Sequence, residues 1–248
     1  MTDRPEANAT DMTRRIFLAT TAGGVAATVL TPAGVLAAKG SPDRGVSTPS
    51  QPSPDRRRLA EPGPMIPPVP AILLTVNGAP GDPDEISVVW TFVIEGTPPH
   101  VGIAVGDHHV AGKLIDLHRE FVLNVPVSDI VKQFDTVDMN SSDVGDKFEL
   151  SGLTRGYAVA VDAPTVEECP IQVECRVFDS LRVPPVRTVY VAEVVATTAT
   201  TEAVDENGRL VVPAVPFFGM TAGSGEFYTM GRLVGHIGKT VGRSDIKY

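Results

Sequence analysis

The chain has 248 residues, an ordinary apolar content of 42%, and 30 acidic against 21 basic residues, which gives a formal net charge of −9. The N-terminal quarter is slightly basic, so the rest of the chain is more acidic still. A body of that charge is repelled by phosphate backbones, and nucleic acid is therefore excluded as an expected partner. Two cysteines, Cys169 and Cys175, are too few for a disulfide framework or a cysteine-based metal site.

Residues 1–38 have the layout of an export signal. Arg14 and Arg15 precede a modestly apolar run that reaches about Leu36 and is diluted with threonine and glycine. This weak hydrophobicity is typical of the twin-arginine class, and residues 35–37 offer small side chains for cleavage. The run is too poor in leucine and isoleucine for a stable span. We therefore expect export to the periplasm or the exterior of a bacterium, with no stable membrane span in the mature chain.

Residues 39–66 are rich in proline, serine and arginine and are expected to be a disordered linker. From residue 67 to 248 short apolar runs alternate with turn residues, which predicts one domain. The predicted strands are 72–76, 86–91, 100–105, 120–124, 159–161, 171–178 and 186–197. The predicted helices are 113–118 and 127–134, and residues 219–225 are predicted to be loop. Many short strands with few helices indicate a barrel.

Several familiar chemistries have no motif in this chain. No G-x-G-x-x-G opens a helix, and neither a P-loop nor a G-x-S-x-G elbow is present. Four histidines lie close together in sequence, and a metal site would combine them with a carboxylate such as Glu120. These histidines are His100, His108, His109 and His118. Their spacing matches no zinc pattern, so no metal is predicted, and a metal-binding protein is kept as a third hypothesis.

The order of many short motifs between about Pro68 and Gly242 resembles the flavin-reductase-like family, and within it the flavoredoxin type. No single motif is specific, but the ordered set covers nearly the whole predicted domain. The segments that carry the resemblance are 70–75, 86–91, 98–101, 114–115, 120–126, 146–149, 152–154, 163–164, 174–177, 192–194, 205–210, 225–228, 231 and 235–238.

The resemblance implies a mainly β fold, a six-stranded Greek-key split β-barrel with a few added helices, usually dimeric. It implies that FMN binds at the barrel mouth near the dimer interface. Backbone groups around Trp90 and Thr91 would face the isoalloxazine ring, and the loop after Val105 would meet the phosphate. Asn124 and Lys147 would lie close to the site.

The sequence departs from the family at the phosphate loop. The family usually carries an arginine directly after this strand and a serine or threonine a few residues on, where this chain has Gly106 and Ala111. A second family arginine is matched by His109. Charge-assisted hydrogen bonds are the strongest ones available to a phosphate, so these changes weaken the expected hold on FMN. His108, His109 and Lys113 are candidates to replace them, together with loop N–H groups and a helix N-terminus.

The leading hypothesis is an exported FMN-binding flavoprotein of the flavin reductase or flavoredoxin type, with redox or electron transfer through the flavin. NAD(P)H is not expected outside the cytoplasmic membrane, so an exported member would be an electron carrier or would be reduced by a redox partner protein. Whether the chain is itself a flavin-dependent oxidoreductase stays open. The alternative is a non-catalytic split barrel that binds another ligand and has lost, or only weakly retains, flavin binding.

Overall fold

The structure is a computed structural model that describes residue 56 and residues 61–141, 145–222 and 224–242. The predicted export signal, residues 1–38, lies outside the described residues, as does most of the predicted linker, residues 39–66. Residues 61–66 of that linker are exposed and belong to no helix or strand. In the described part of the chain, no helix combines the length and apolar character needed to cross a membrane.

The described chain is mainly β. Its strands are Val69–Pro70 (β1), Leu73–Val76 (β2), Glu85–Val88 (β3), Trp90–Gly96 (β4), Pro99–Gly106 (β5), Glu120–Val125 (β6), Arg155–Tyr157 (β7), Pro164–Val166 (β8), Ile171–Val183 (β9), Arg187–Ala199 (β10), Phe218–Met220 (β11) and Phe227–Thr229 (β12). Its α-helices are Val110–His118 (α1), Val131–Met139 (α2) and Lys147–Ser151 (α3).

Seven strands form one antiparallel sheet in the order β3-β2-β6-β9-β10-β5-β4. The two outermost strands, β3 and β4, follow each other in sequence and are separated only by Val89. One segment of chain therefore supplies both ends of the sheet, and the sheet curls into a barrel. The smaller sheets β1-β11-β12 and β7-β8 lie outside this order.

The barrel interior is filled from alternate positions of its strands. Ile103 and Val105 of β5 point inwards and pack with the buried side of α1, while the positions between them point outwards. A second core lies on the other face of β2, where Leu73 packs with Phe134 of α2 and Phe148 of α3. Both faces of β2 are thus buried, which explains its unbroken apolar sequence.

Capping residues fix the ends of the two helices nearest the site. Arg119 ends α1 in the left-handed conformation, at φ 59°, and its N–H donates to Ile115 O at 2.8 Å. Asp146 begins α3, and its carboxylate accepts from the N–H groups of Phe148 and Glu149 at 2.9 and 3.4 Å. Gly152 closes α3 at φ 71°.

Several sequence expectations needed correction. The predicted strand 86–91 is two strands that turn at Val89 and pair at opposite ends of the sheet. The predicted helix 127–134 is a short 3₁₀ turn over Ser128–Ile130 followed by α2. The predicted loop 219–225 begins inside β11. The main sheet of the described chain has seven strands, because the segment expected to be a single strand is divided into β3 and β4.

The predicted strand 159–161 is absent, and a buried carboxylate explains why. Glu174 on β9 has no solvent exposure and accepts hydrogen bonds from the N–H groups of three consecutive residues. These donors are Val159 at 2.9 Å, Ala160 at 2.6 Å and Val161 at 3.2 Å. The side chain satisfies the backbone donors that a neighbouring strand would otherwise satisfy, so the apolar sequence runs as a loop.

Candidate functional site

The outer face of β5 carries almost no side-chain volume. Its outward positions near the end of the strand are Gly102, Ala104 and Gly106. The ring of Phe92, on the adjacent strand β4, lies over the first of them, and a Cβ added at Gly102 would stand 2.4 Å from Phe92 Cζ. The strip of backbone at these three residues, here called the bare strip, has almost no side chains of its own, but the Phe92 ring covers its Gly102 end and the His108 ring covers its Gly106 end. The stretch at Ala104 between them is half-exposed, and a flat ring can pack against it.

Trp90, the single tryptophan of the chain, begins the aromatic side of this strip. Its side chain is 41% exposed and pairs with Ala104 across the β4–β5 ladder. The guanidinium carbon of Arg187 lies 5.1 Å from the centre of the Trp90 ring, within cation–π distance. Thr91 points the other way along the strand and donates from Oγ1 to Gly102 O at 3.1 Å.

The loop after Val105 joins the bare strip to the N-terminus of α1. His108 is exposed and His109 half-buried, with their ring centres 4.0 Å apart. No side chain caps the first turn of α1, so its N–H groups face the loop without a side-chain acceptor. Gly106 is not among the residues with positive φ. A Cβ there would nevertheless lie 2.7 Å from His108 Cε1.

A cleft of about 240 Å³ opens behind this loop, between β5, β10 and α1. The predicted residues Val105, Gly106, His109 and Lys113 line it together. Tyr190 closes it by donating to Gly112 O at 3.0 Å. Burial, and then the hydrogen bond to Asp116, raise the pKa of Tyr190 to about 12, so the phenol is neutral. A slightly larger cavity of about 260 Å³ elsewhere is lined by four acidic residues and no basic one, which does not suit an anion.

The end of β5 carries charges of both signs, because the cleft is lined by Lys113 and Arg182 and also by Asp107 and Asp116. Burial lowers the pKa of His109, and the charges of His108, Lys147 and Arg187 lower it further, against an opposing effect of Glu85. These groups are therefore near enough to act on one imidazole. His109 is accordingly neutral at pH 7 in the protein alone, and an anion placed beside it would favour its protonated form.

Two predicted site residues are engaged in internal contacts. Asn124 is fully buried, where its Nδ2 donates to Leu73 O and Thr75 Oγ1, both at 3.0 Å, and its Oδ1 accepts from Val166 N at 2.8 Å. Lys147 is 4% exposed and pairs with Glu85 at 2.7 Å. In this structure neither side chain is presented to a ligand, and both hold the strands around the site.

Ala111 is also turned away from the loop. Its side chain has no exposure and packs in the barrel interior beside Val105 and Leu114. A hydroxyl at this position would enter the core and would not reach a phosphate. Only the backbone N–H of Ala111, in the open first turn of α1, remains available to a ligand.

The histidines do not converge on a metal site. The ring of His100 packs against Phe178 at 5.0 Å, and His118 Nε2 lies 3.0 Å from Gly78 O. Among the described residues, no group of three or more histidine, cysteine or acidic side chains is arranged to hold a metal ion.

Sequence reasoning missed two features of the site. The first is Arg187, which the β5–β10 ladder brings opposite Gly106. The second is the bare strip on β5, whose signal was readable: small residues at every second position within an otherwise apolar strand. The position of Arg187 could not be read, because it depends on the register of two strands about eighty residues apart.

The mainly β split-barrel fold is confirmed by comparison with known proteins. The flavoredoxin of Desulfovibrio vulgaris (Miyazaki F) superposes with a TM-score of 0.68 at 19% identity, over 73% of this chain and 97% of that one. Flavoredoxin from Methanosarcina acetivorans superposes with a TM-score of 0.67 at 23% identity, over 75% of this chain and 100% of that one. An FMN-binding domain of a flavin reductases-like enzyme from Shewanella baltica OS155 superposes with a TM-score of 0.58 at 19% identity, over 67% of this chain and 88% of that one.

The family assignment rests on a direct sequence match. The flavin reductase like domain matches residues 67–216, which is more than half of the chain. The match includes β1 to β10, the loop after Val105 and Arg187. The chain belongs to the flavin reductase like domain family, whose chemistry is flavin-based redox transfer.

Proposed function

We propose that this chain is an exported redox flavoprotein that binds FMN across the outer face of β5. The observation that carries the proposal is the strip at Gly102, Ala104 and Gly106 in a chain of this family, which ends beside His108, His109 and the uncapped N-terminus of α1. A flat ring can lie on the strip beside Trp90, and a phosphate attached to it reaches the loop.

The phosphate end of the ligand is bound by groups that need no loop arginine. The open N–H groups of α1 are oriented towards the loop, and the N-terminus of a helix favours negative charge. Lys113 lies on the cleft and has no carboxylate within ion-pair distance among the described residues. His109 gains a proton as the phosphate approaches, because the anion offsets the burial that keeps it neutral.

Bound flavin supplies hydride or electron transfer, and the protein supplies position and electrostatics. Trp90 and Phe92 border one edge of the ring and limit its access to water. The strip is half open, which leaves the opposite side of the ring accessible to an electron donor. After export the donor is a partner protein, because nicotinamide nucleotides are not expected there.

A second copy of the chain is proposed to cover the apolar surface beside the strip. Five large apolar side chains on β4 and β9 are between 45% and 78% exposed, and a surface of this kind is unusual on a monomer. They are Phe92, Val93, Ile94, Phe178 and Leu181. A homodimer built on this surface buries them next to the flavin. Light scattering at micromolar concentration measures the oligomeric state, and a monomer contradicts the proposed homodimer.

The test of the flavin proposal uses the purified mature chain. We expect flavin absorbance bands in the protein as isolated or after addition of FMN, with quenching of Trp90 fluorescence during titration. Ala104→Leu fills the strip and is expected to abolish binding. Thr197→Leu, which enlarges an exposed side chain elsewhere on β10, serves as the matched control.

Two results contradict the flavin proposal. A folded, colourless protein that ignores added FMN supports the alternative of a ligand-binding barrel without flavin. Equal FMN binding by Ala104→Leu and the parent chain shows that the flavin lies elsewhere.

A further inference from the structure

Arg187 lies on the outer face of the barrel, directly opposite the residue where the phosphate loop has no side chain. It is the antiparallel partner of Gly106, and directly opposed residues in a ladder point to the same face of the sheet. Its guanidinium lies over the Trp90 ring, and Nη1 is 3.5 Å from Ala104 O. The side chain therefore crosses the end of the bare strip.

The charge on Arg187 is not neutralised within the described chain. Arg182 is held by Asp107 through two contacts of 2.5 Å, and Lys147 is held by Glu85 at 2.7 Å. Arg187 has no carboxylate within ion-pair distance among the described residues, although the chain is strongly acidic overall. A half-buried cation kept apart from carboxylates is costly unless an anion joins it.

The space around Arg187 suits a phosphate. The imidazoles of His108 and His109 lie over Gly106, so an anion that approaches the guanidinium also meets these two rings. The planar guanidinium presents paired N–H donors that match two phosphate oxygens, and stacking on Trp90 limits its rotation. The aromatic contact thus orients a cation towards the end of the strip.

We propose that Arg187 determines specificity for flavins that carry a 5′-phosphate, and that it takes the place of a loop arginine from the neighbouring strand. This inference rests on the proposed flavin site. Arg187 binds the anionic tail, whereas the ring is bound by the strip, so loss of Arg187 affects phosphorylated flavin alone.

The experiment compares FMN with riboflavin, which has the same ring and no phosphate. Both are titrated by equilibrium dialysis against the parent chain, Arg187→Gln and Arg187→Lys, each checked by thermal melting. Arg176→Gln is the control, because it removes the same charge about six positions further along the ladder, roughly 20 Å away at about 3.3 Å per residue.

We expect Arg187→Gln to lose about tenfold or more in FMN affinity, as befits a hydrogen bond to a charged group. Arg187→Lys keeps the charge but lacks the paired donors, so its FMN affinity is expected to lie between those of the parent chain and Arg187→Gln. Riboflavin affinity is expected to stay within about twofold in every variant, and Arg176→Gln to match the parent for both flavins.

The outcomes separate the two proposals. If the parent chain binds both flavins and Arg187→Gln keeps the preference for FMN, the role of Arg187 is overturned and the flavin site stands. If Arg187→Gln lowers the affinity for FMN and for riboflavin equally, Arg187 acts on the ring and the inference fails. If the parent chain binds neither flavin, the proposed function itself fails.

Discussion

Lys147 and Glu85 form an ion pair of 2.7 Å whose side chains are only 4% and 5% exposed. Ser87 donates to the same carboxylate and accepts from Lys147 Nζ at 3.3 Å. The pair joins the first turn of α3 to the start of β3. It thereby anchors the outermost strand that leads, after Val89, into β4 and Trp90.

Removal of one partner of this pair is expected to destabilise the fold strongly. Lys147→Met leaves a buried carboxylate without its cation, and such losses cost about 3–5 kcal/mol in the free energy of unfolding. The double variant Glu85→Gln with Lys147→Met leaves no uncompensated charge and is expected to lose less than the sum of the two single losses. Urea unfolding measures the free energy of unfolding of the two single variants, Glu85→Gln and Lys147→Met, and of the double variant. Strict additivity of the two single losses contradicts the coupling of the pair.

Glu174→Gln is expected to loosen the loop 159–161. The amide keeps one acceptor oxygen and places an NH₂ group against backbone N–H donors, so charge-assisted hydrogen bonds worth about 1.5–3 kcal/mol each are lost or reversed. We expect a lower free energy of unfolding and faster amide exchange at Val159, Ala160 and Val161. Glu193→Gln, at an exposed position of β10, is the control. If the amide exchange of these three residues is unchanged in Glu174→Gln, the carboxylate does not hold the loop 159–161.

The two thiols are expected to be inert in the folded protein. Burial raises the pKa of Cys175 to about 12, with a further contribution from Glu174, and burial raises that of Cys169 as well. A thiol reagent at pH 8 should therefore react only after denaturation. Reaction of the native chain at the rate of a free thiol contradicts this prediction.

These pKa shifts also set a pH dependence of stability. In the unfolded chain the thiols ionise near pH 8.5, while in the fold they stay protonated. The stability contributed by the neutral thiols is present below pH 8.5 and is lost as the pH rises towards the folded pKa. Denaturation between pH 7 and 10 should show this decline, and Cys169→Ala with Cys175→Ala should flatten it.

Export is expected to depend on the arginine pair. The twin-arginine pathway recognises both guanidinium groups, so Arg14→Lys with Arg15→Lys should leave folded precursor in the cytoplasm. Arg57→Lys with Arg58→Lys makes the same exchange in the linker and should not affect export. Fractionation followed by immunoblotting measures both variants. Normal export of the signal variant rules out the twin-arginine assignment.

Local chemistry made much of this fold predictable, and long-range register accounts for what was not. Strand β2 was recognisable because apolar residues buried on both faces form an unbroken run. The loop 159–161 was not, because the carboxylate that binds it comes from another strand. Ala111 was assigned to the site by its sequence position, whereas the rotation of α1 turns its side chain into the core.

Along β5, side chains that point inwards alternate with positions that point outwards, so stability and ligand fit depend on different residues of one strand. Ile103 and Val105 pack the barrel interior, and changes there alter stability. Gly102, Ala104 and Gly106 face outwards, where Phe92 and His108 cover the two glycines and leave Ala104 half-exposed. At the proposed site, substitutions of Ala104 can therefore alter which ring fits without disturbing the interior, which makes this position a natural starting point for evolving new ligand specificity.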